Sequence, residues 1–156
     1  MQMAAIESVL LDRLMVHCRA MPPVAALQLA IAGSDAGVLR LQAPLAANVN
    51  DKGCAFGGSL ASLMTLAGWG VVSLALWRSG LDADVYVADS QVRYLAPLHG
   101  DLHAVAEAAP GQSLDACVAA VRQHGRGRVG IQAKVLLPAG GEACTMTARY
   151  VAIVAR

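Results

Sequence analysis

From Gly53 to Trp77 the chain carries no charged side chain, and residues 60–77 read LASLMTLAGWGVVSLALW. A stretch of that length matches a membrane-spanning helix, which needs about 20 apolar residues. Its details point elsewhere. Ser59, Ser62, Thr65 and Ser73 interrupt it, and Asn48, Asn50 and Asp51 precede it in a polar, glycine-containing loop. No second such run occurs, and both flanks alternate in the period of strands that require a sheet. A helix apolar on every side is also what a sheet curled around it demands. The run is therefore expected to be a buried rod over about 57–78, with a membrane span as the weaker alternative.

The flanks supply the sheet. Ile6, Val9, Leu10, Leu14 and His17 recur at helical spacing, which predicts an N-terminal helix over 4–19 that Met21-Pro22-Pro23 ends. Leu27, Leu29 and Ile31 alternate with Ala26, Gln28 and Ala30, the period of a strand, and 38–43 reads as its hairpin partner. Beyond Gly80 the pattern predicts strands over 84–95 and 101–108, a short helix over 113–123, and strands over 129–137 and 142–154. In the first of these, Val85, Val87, Asp89, Gln91 and Arg93 share one face. Tyr86, Ala88, Ser90, Val92 and Tyr94 share the other. Hairpins dominate, so the expected fold is α+β: one domain over 1–156, in which a largely antiparallel sheet of about six strands wraps a long central helix.

Composition excludes several functions. Twelve Lys and Arg stand against 11 Asp and Glu, with no charged tail, so no basic excess exists to neutralise a phosphate backbone and no nucleic-acid partner is expected. Cys18, Cys54, Cys117 and Cys144 are too far apart for a zinc or redox pair and are expected as reduced, small apolar residues. The N-terminal segment carries Glu7, Asp12 and Arg13 within its apolar pattern and does not read as a signal peptide. A cytoplasmic location is the expectation.

Chemistry is concentrated in Asn50-Asp51-Lys52-Gly53-Cys54-Ala55-Phe56-Gly57-Gly58, which opens the central helix. Amides in the first turn of a helix have no intrahelical partner, and the helix dipole adds positive potential there. Glycines at Gly57 and Gly58 let a ligand oxygen approach those amides. Such a tip suits a carbonyl oxygen that gains negative charge in acyl transfer. Asn50 offers an amide to position substrate or water. The competing reading is that the two glycines only allow tight packing of helix on sheet.

The same residues carry a resemblance. The pattern N-x-x-G-x-x-H-G-G before an apolar helix is typical of hotdog-fold acyl-CoA thioesterases, and stands here as Asn50, Gly53, Phe56, Gly57 and Gly58. The chain more closely resembles the YiiD C-terminal-domain group of thioesterases. The matching motifs are Asn48/Asn50, Phe56-Gly57-Gly58-Ser59-Leu60 and Gly68-Trp69, within a likeness covering residues 5–154. The resemblance implies a hotdog fold, a homodimer or dimer of dimers with sheets joined edge to edge, and sites at the subunit interface. It implies an acyl thioester as substrate, with no cofactor, no metal and no membrane partner. Asp51, Phe56, Ser59, Ser90 and Arg128 are the candidate substrate contacts. Arg128 belongs to the basic cluster Arg122, Arg126, Arg128 and Lys134, and a coenzyme A phosphate patch lies on such a surface in many relatives.

The departures concern the base. Phe56 stands where the pattern has His, and Thr65 stands where relatives carry an acid nine residues further on. A threonine hydroxyl is far too weak an acid or base to activate water unaided at neutral pH, so Thr65 is at most a water holder. Asp89, a carboxylate among apolar strand positions, is the remaining candidate base, reaching the site from the partner chain, or else paired with Arg93 or a lysine. His17, His99, His103 and His124 lack metal-ligand spacing, and Ser59 does not follow a strand as a nucleophile elbow would. Two functions therefore stay open. One is a thioesterase using Asn50, Gly57, Gly58, Thr65 and Asp89, with the acyl chain along Leu63 and Leu66. The other is a binding module for acyl thioesters that has lost its base.

Overall fold

The computed structural model describes residues 1–155. Helix α1 spans Gln2–Ala20, and a four-residue helical turn, α2, spans Pro22–Ala25. The hairpin β1 (Ala30–Asp35) and β2 (Val38–Ala43) follows, then the central helix α3 (Gly57–Arg78). Strands β3 (Ala83–Tyr94) and β4 (Leu102–Ala108) come next, then α4 (Leu114–His124), β5 (Arg126–Leu136) and β6 (Glu142–Val154). The six strands form one antiparallel sheet in the order β1-β2-β4-β5-β6-β3. Strands β1 and β3 are its edges. A long helix wrapped by this sheet is the hotdog arrangement.

Helix α3 is buried because it is covered on two sides. Leu60, Leu63, Met64, Ala67, Val71, Val72, Leu74 and Leu76 are all buried against the sheet and α1. Its length and hydropathy would suit a membrane span, yet 67% of that apolar window is buried within the fold. The inward positions of the sheet alternate as strand geometry requires: Val129, Ile131, Ala133 and Val135 on β5, and Met146, Ala148, Tyr150 and Ala152 on β6. The intervening residues, among them Arg128, Lys134 and Arg149, lie on the outer face. Two helical glycines admit their neighbours. A Cβ at Gly70 would lie 2.5 Å from Leu39, and one at Gly68 would lie 2.7 Å from Cζ of Tyr150.

The structure corrects three expectations. The strand expected from Ala26 starts only at Ala30, because Pro22 and Pro23 pre-set the backbone for the first turn of α2. Gln28 then leaves that turn at φ 56°. Strand β5 begins at Arg126 rather than 129, directly after the left-handed cap Gly125 of α4, φ 73°. Gly127 lets that stretch run beside α4, since a Cβ there would meet the Cys117 carbonyl at 2.5 Å.

The third correction matters most. The register of β3 on β6 shifts between Val87 and Asp89, leaving Ala88 as the extra residue of a β-bulge. The simple alternation is therefore broken. Ser90 and Val92 pair with the inward Ala148 and Met146, so they share a face with Val85 and Val87. Asp89, Gln91 and Arg93 pair with Arg149, Thr147 and Thr145 on the outer face.

Candidate functional site

The tip of α3 is built by the loop before it. Asn50 clasps that loop: its Oδ1 accepts the amides of Lys52 at 2.8 Å and Cys54 at 3.1 Å, and its Nδ2 donates to Cys54 Sγ at 3.2 Å. A short bridge joins Val49 and Ala55. Asn48 is 3% exposed and donates through Nδ2 to the carbonyls of Leu27 at 2.9 Å and Pro44 at 2.8 Å. The Phe56 amide donates to the Asn48 carbonyl at 2.7 Å, which aims the chain into the helix.

No side chain caps the helix that follows. Its first backbone bond runs from the Leu60 amide to the Phe56 carbonyl at 3.1 Å, so the amides of Gly57, Gly58 and Ser59 precede the ladder. Two rings flank them. A Cβ at Gly58 would lie 2.5 Å from the Phe56 ring, and one at Gly57 would lie 3.3 Å from the Tyr94 ring. The Tyr94 hydroxyl donates to the Gly57 carbonyl at 3.2 Å. Both glycines therefore serve packing, and the packing partners are exposed rings that leave the amides uncapped. Phe56, Tyr94, Leu95 and Val49 are 55%, 58%, 52% and 46% exposed, an apolar rim around a positive tip.

Further along α3, the Thr65 hydroxyl donates its proton to the Ala61 carbonyl at 2.8 Å, leaving only lone pairs to offer. The Tyr150 hydroxyl donates to the Thr65 carbonyl at 2.7 Å. Burial raises the Tyr150 pKa, so the phenol stays neutral and remains a donor, while the Trp69 amide faces the same oxygen.

The carboxylates lie elsewhere. Asp89 accepts a forked ion pair from Arg149, with both Asp89 oxygens 2.9 Å from Nε. The guanidinium holds the Asp89 pKa below its usual value. The pair is on the outer face, with the whole sheet between it and α3. A base at Asp89 beside the tip thus has no counterpart within the protomer. Edge-to-edge pairing of two sheets would not create one either, since a continuous sheet keeps the same faces. Asp51 is exposed and ion-paired with Lys52 at 2.9 Å. Helix α3 carries no Asp, Glu or His along its length. Ser59 is buried in the first turn and Ser90 is exposed near the β3 edge. Arg128 lies on the outer face, in one hollow with Asp89 and Arg149 and opposite to the face that Ser90 shares. Leu63 is fully buried in the core, whereas Leu66 is only partly covered.

The arrangement matches known proteins over most of its length. A family model described as "Putative thioesterase (yiiD_Cterm)" matches residues 14–154. The chain belongs to the YiiD C-terminal thioesterase family. A solved protein of unknown function from Chlorobaculum tepidum TLS is 25% identical, with TM-score 0.84, covering 96% of this chain and 95% of that one. A structure from Shewanella oneidensis described as "putative thioesterase" is 28% identical, with TM-score 0.83, covering 94% and 99%. A Pseudomonas aeruginosa protein described as "Probable Thioesterase" is 19% identical, with TM-score 0.72, covering 86% and 88%, and shares the fold. Within this YiiD-family chain, sequence reasoning missed Tyr94, Tyr150 and Arg149. Alternation along 142–154 is the signal that could have separated Tyr150 from Arg149 by face; nothing local links Tyr94 to Gly57.

Proposed function

We propose that this chain hydrolyses an acyl thioester at the tip of α3, as one half of a dimer paired through β3. Water adds to the thioester carbon, the C–S bond breaks, and the products are a carboxylic acid and a thiol. The amides of Gly57 and Gly58 receive the carbonyl oxygen as it becomes negative, and the helix dipole adds to their pull. The observation that carries this reading is the uncapped first turn of α3 between two exposed rings. Thr65, with its proton committed to Ala61, presents lone pairs that accept a hydrogen bond from a water. Asn50 holds the loop that sets the tip.

The dimer rests on the edge. Strand β3 runs from Ala83 to Tyr94 without a second neighbour, and Tyr86, Val87, Tyr94 and Leu95 are exposed on or beside it. An unpaired strand of that length is an aggregation hazard unless a copy of itself covers it.

A second reading, an acyl-thioester binding module without turnover, is favoured by one observation: α3 carries no acid or histidine, and Asp89 is bound to Arg149 on the other face. A panel of acyl-CoA and acyl-carrier thioesters with a free-thiol reagent separates the two. Turnover that falls at least tenfold in Gly58→Ala supports the hydrolase, since the new Cβ pushes the Phe56 ring and crowds the approach of a carbonyl oxygen to amides the substitution leaves in place. Saturable binding with no thiol release supports the module. Sedimentation that finds only monomers at micromolar protein would overturn the β3 pairing.

A further inference from the structure

Helix α3 is open along one line over its first three turns. Gly58, Ser62, Thr65 and Trp69 follow one another at spacings of four, three and four, which sets them on one face. Gly58 and Ser62 are exposed, and Thr65 and Trp69 are partly buried. Past Trp69 the line closes, with Val72, Ser73 and Leu76 all buried. Helix α1 contributes to that cover, since a Cβ at Gly70 would lie 3.3 Å from Leu14. The open line starts at the uncapped amides. It borders the β3 edge, because the Tyr94 hydroxyl bonds to Gly57 and the β6 residues Met146 and Tyr150 reach Thr65.

A wall of rings stands at the far end. Trp69 meets His17 of α1 edge to face, with ring centroids 6.2 Å apart. His17 stacks in turn on Trp77 at 5.5 Å, and the Arg13 guanidinium lies 4.1 Å from the centre of the Trp77 ring. Arg13 is itself paired with Asp82 at 2.9 Å. An indole backed in this way does not swing aside toward α1. The span before it is short. Gly58 and Trp69 stand eleven positions apart, about 16 Å of helix. A helical side chain leans over the turn before its own Cα, so the Trp69 ring takes about 5 Å of that. The remaining ~11 Å holds about nine methylenes, at about 1.25 Å each along a C–C zigzag.

We propose that Trp69, held by His17, ends the acyl path, so that the substrate is a medium-chain thioester of about eight to ten carbons. The inference rests on the reading of the α3 tip as the thioester site and adds the class of acyl group. With the carbonyl oxygen at the Gly57 and Gly58 amides, the chain passes Thr65 and lies over Leu66 until it meets the indole. The path suits an alkyl chain: α3 brings no charge to it before Arg78, and the Thr65 proton is turned to the Ala61 carbonyl. The partner's β3 covers its open side.

Calorimetric titration of the full chain with pantetheine ketones of four to sixteen acyl carbons tests this. In these probes a methylene replaces the thioester sulfur, so the carbonyl is kept and no thiol can leave. Affinity is expected to rise about fourfold per methylene up to eight or ten carbons, and to gain nothing or fall beyond. Trp69→Ala should move that limit up by about four carbons, one helical turn, and raise fourteen-carbon affinity at least tenfold relative to eight-carbon. His17→Ala, which unbacks the indole, should raise it less. Ser62→Phe, at an exposed position nearer the tip, should move the limit down and tests the path even if Trp69→Ala does not fold. The limit is a ratio between chain lengths, so a loss of folded protein leaves it unmoved. The same length profile without thiol release from acyl-CoA esters would refute the hydrolase and support the length limit. Affinity that climbs unbroken to sixteen carbons refutes the limit. So does a limit that neither Trp69→Ala nor Ser62→Phe moves, or no saturable binding of any ketone.

Discussion

Gly68→Ala is the sharpest probe of how α3 is held. Alanine is the better helix former, and at an exposed helical site the change would stabilise by about 1 kcal/mol. Here the new Cβ would meet the Tyr150 ring, with Cζ at 2.7 Å and Cε2 at 2.9 Å, closer than real side chains come. Tyr150 is fully buried and cannot swing into solvent. Either the helix moves off the sheet, an overpacking cost of about 1–3 kcal/mol, or the hydroxyl leaves the Thr65 carbonyl, which costs about 1–3 kcal/mol. If both occur in part, the net loss after the propensity gain is about 2–3 kcal/mol. For a chain of this size that lowers the melting midpoint by about 5–10 °C. Thermal and urea unfolding of Gly68→Ala, Tyr150→Phe and the double variant measure it. Tyr150→Phe removes the nearest atom from the clash, so the double variant should lose less than the sum of the singles. A Gly68→Ala protein as stable as its parent would refute the account.

Other outcomes follow from the same geometry. Gly58→Ala displaces only the exposed Phe56 ring, so its melting midpoint should stay near that of the parent while thioester turnover falls; a parallel fall in both would point to misfolding rather than an obstructed tip. Asn48→Ala strands the buried carbonyls of Leu27 and Pro44 and should cost about 2–4 kcal/mol in urea unfolding. Glu7 accepts from Arg78 Nε at 2.9 Å and from Ser34 at 3.0 Å, and its pKa is lowered chiefly by the Arg78 bond. A lowered folded pKa stabilises above the unfolded value of 4.5 and is lost as pH falls through the folded one. The stability gap between the parent and Glu7→Gln should therefore be full above the unfolded value of 4.5 and close as pH falls below it toward the lower folded one. A gap constant across that window would mean the pair contributes nothing.

The sequence alone determined the rod and its wrapping. An uncharged stretch with strand-period flanks can satisfy its apolar surface and its backbone only inside a sheet, and Gly80 marks where it stops. It also placed the glycine tip, because local composition sets where a helix begins. Tertiary structure decided which groups meet. The Ala88 bulge turned Asp89 away from α3 and toward Arg149, a change of face that depends on register with β6 and leaves no trace in alternation. Tyr94 reached Gly57, and Tyr150 reached the Thr65 carbonyl, across 37 and 85 positions of chain. Contacts at such separations are chosen by how the sheet curls over the helix, and no window of neighbouring residues encodes that curvature.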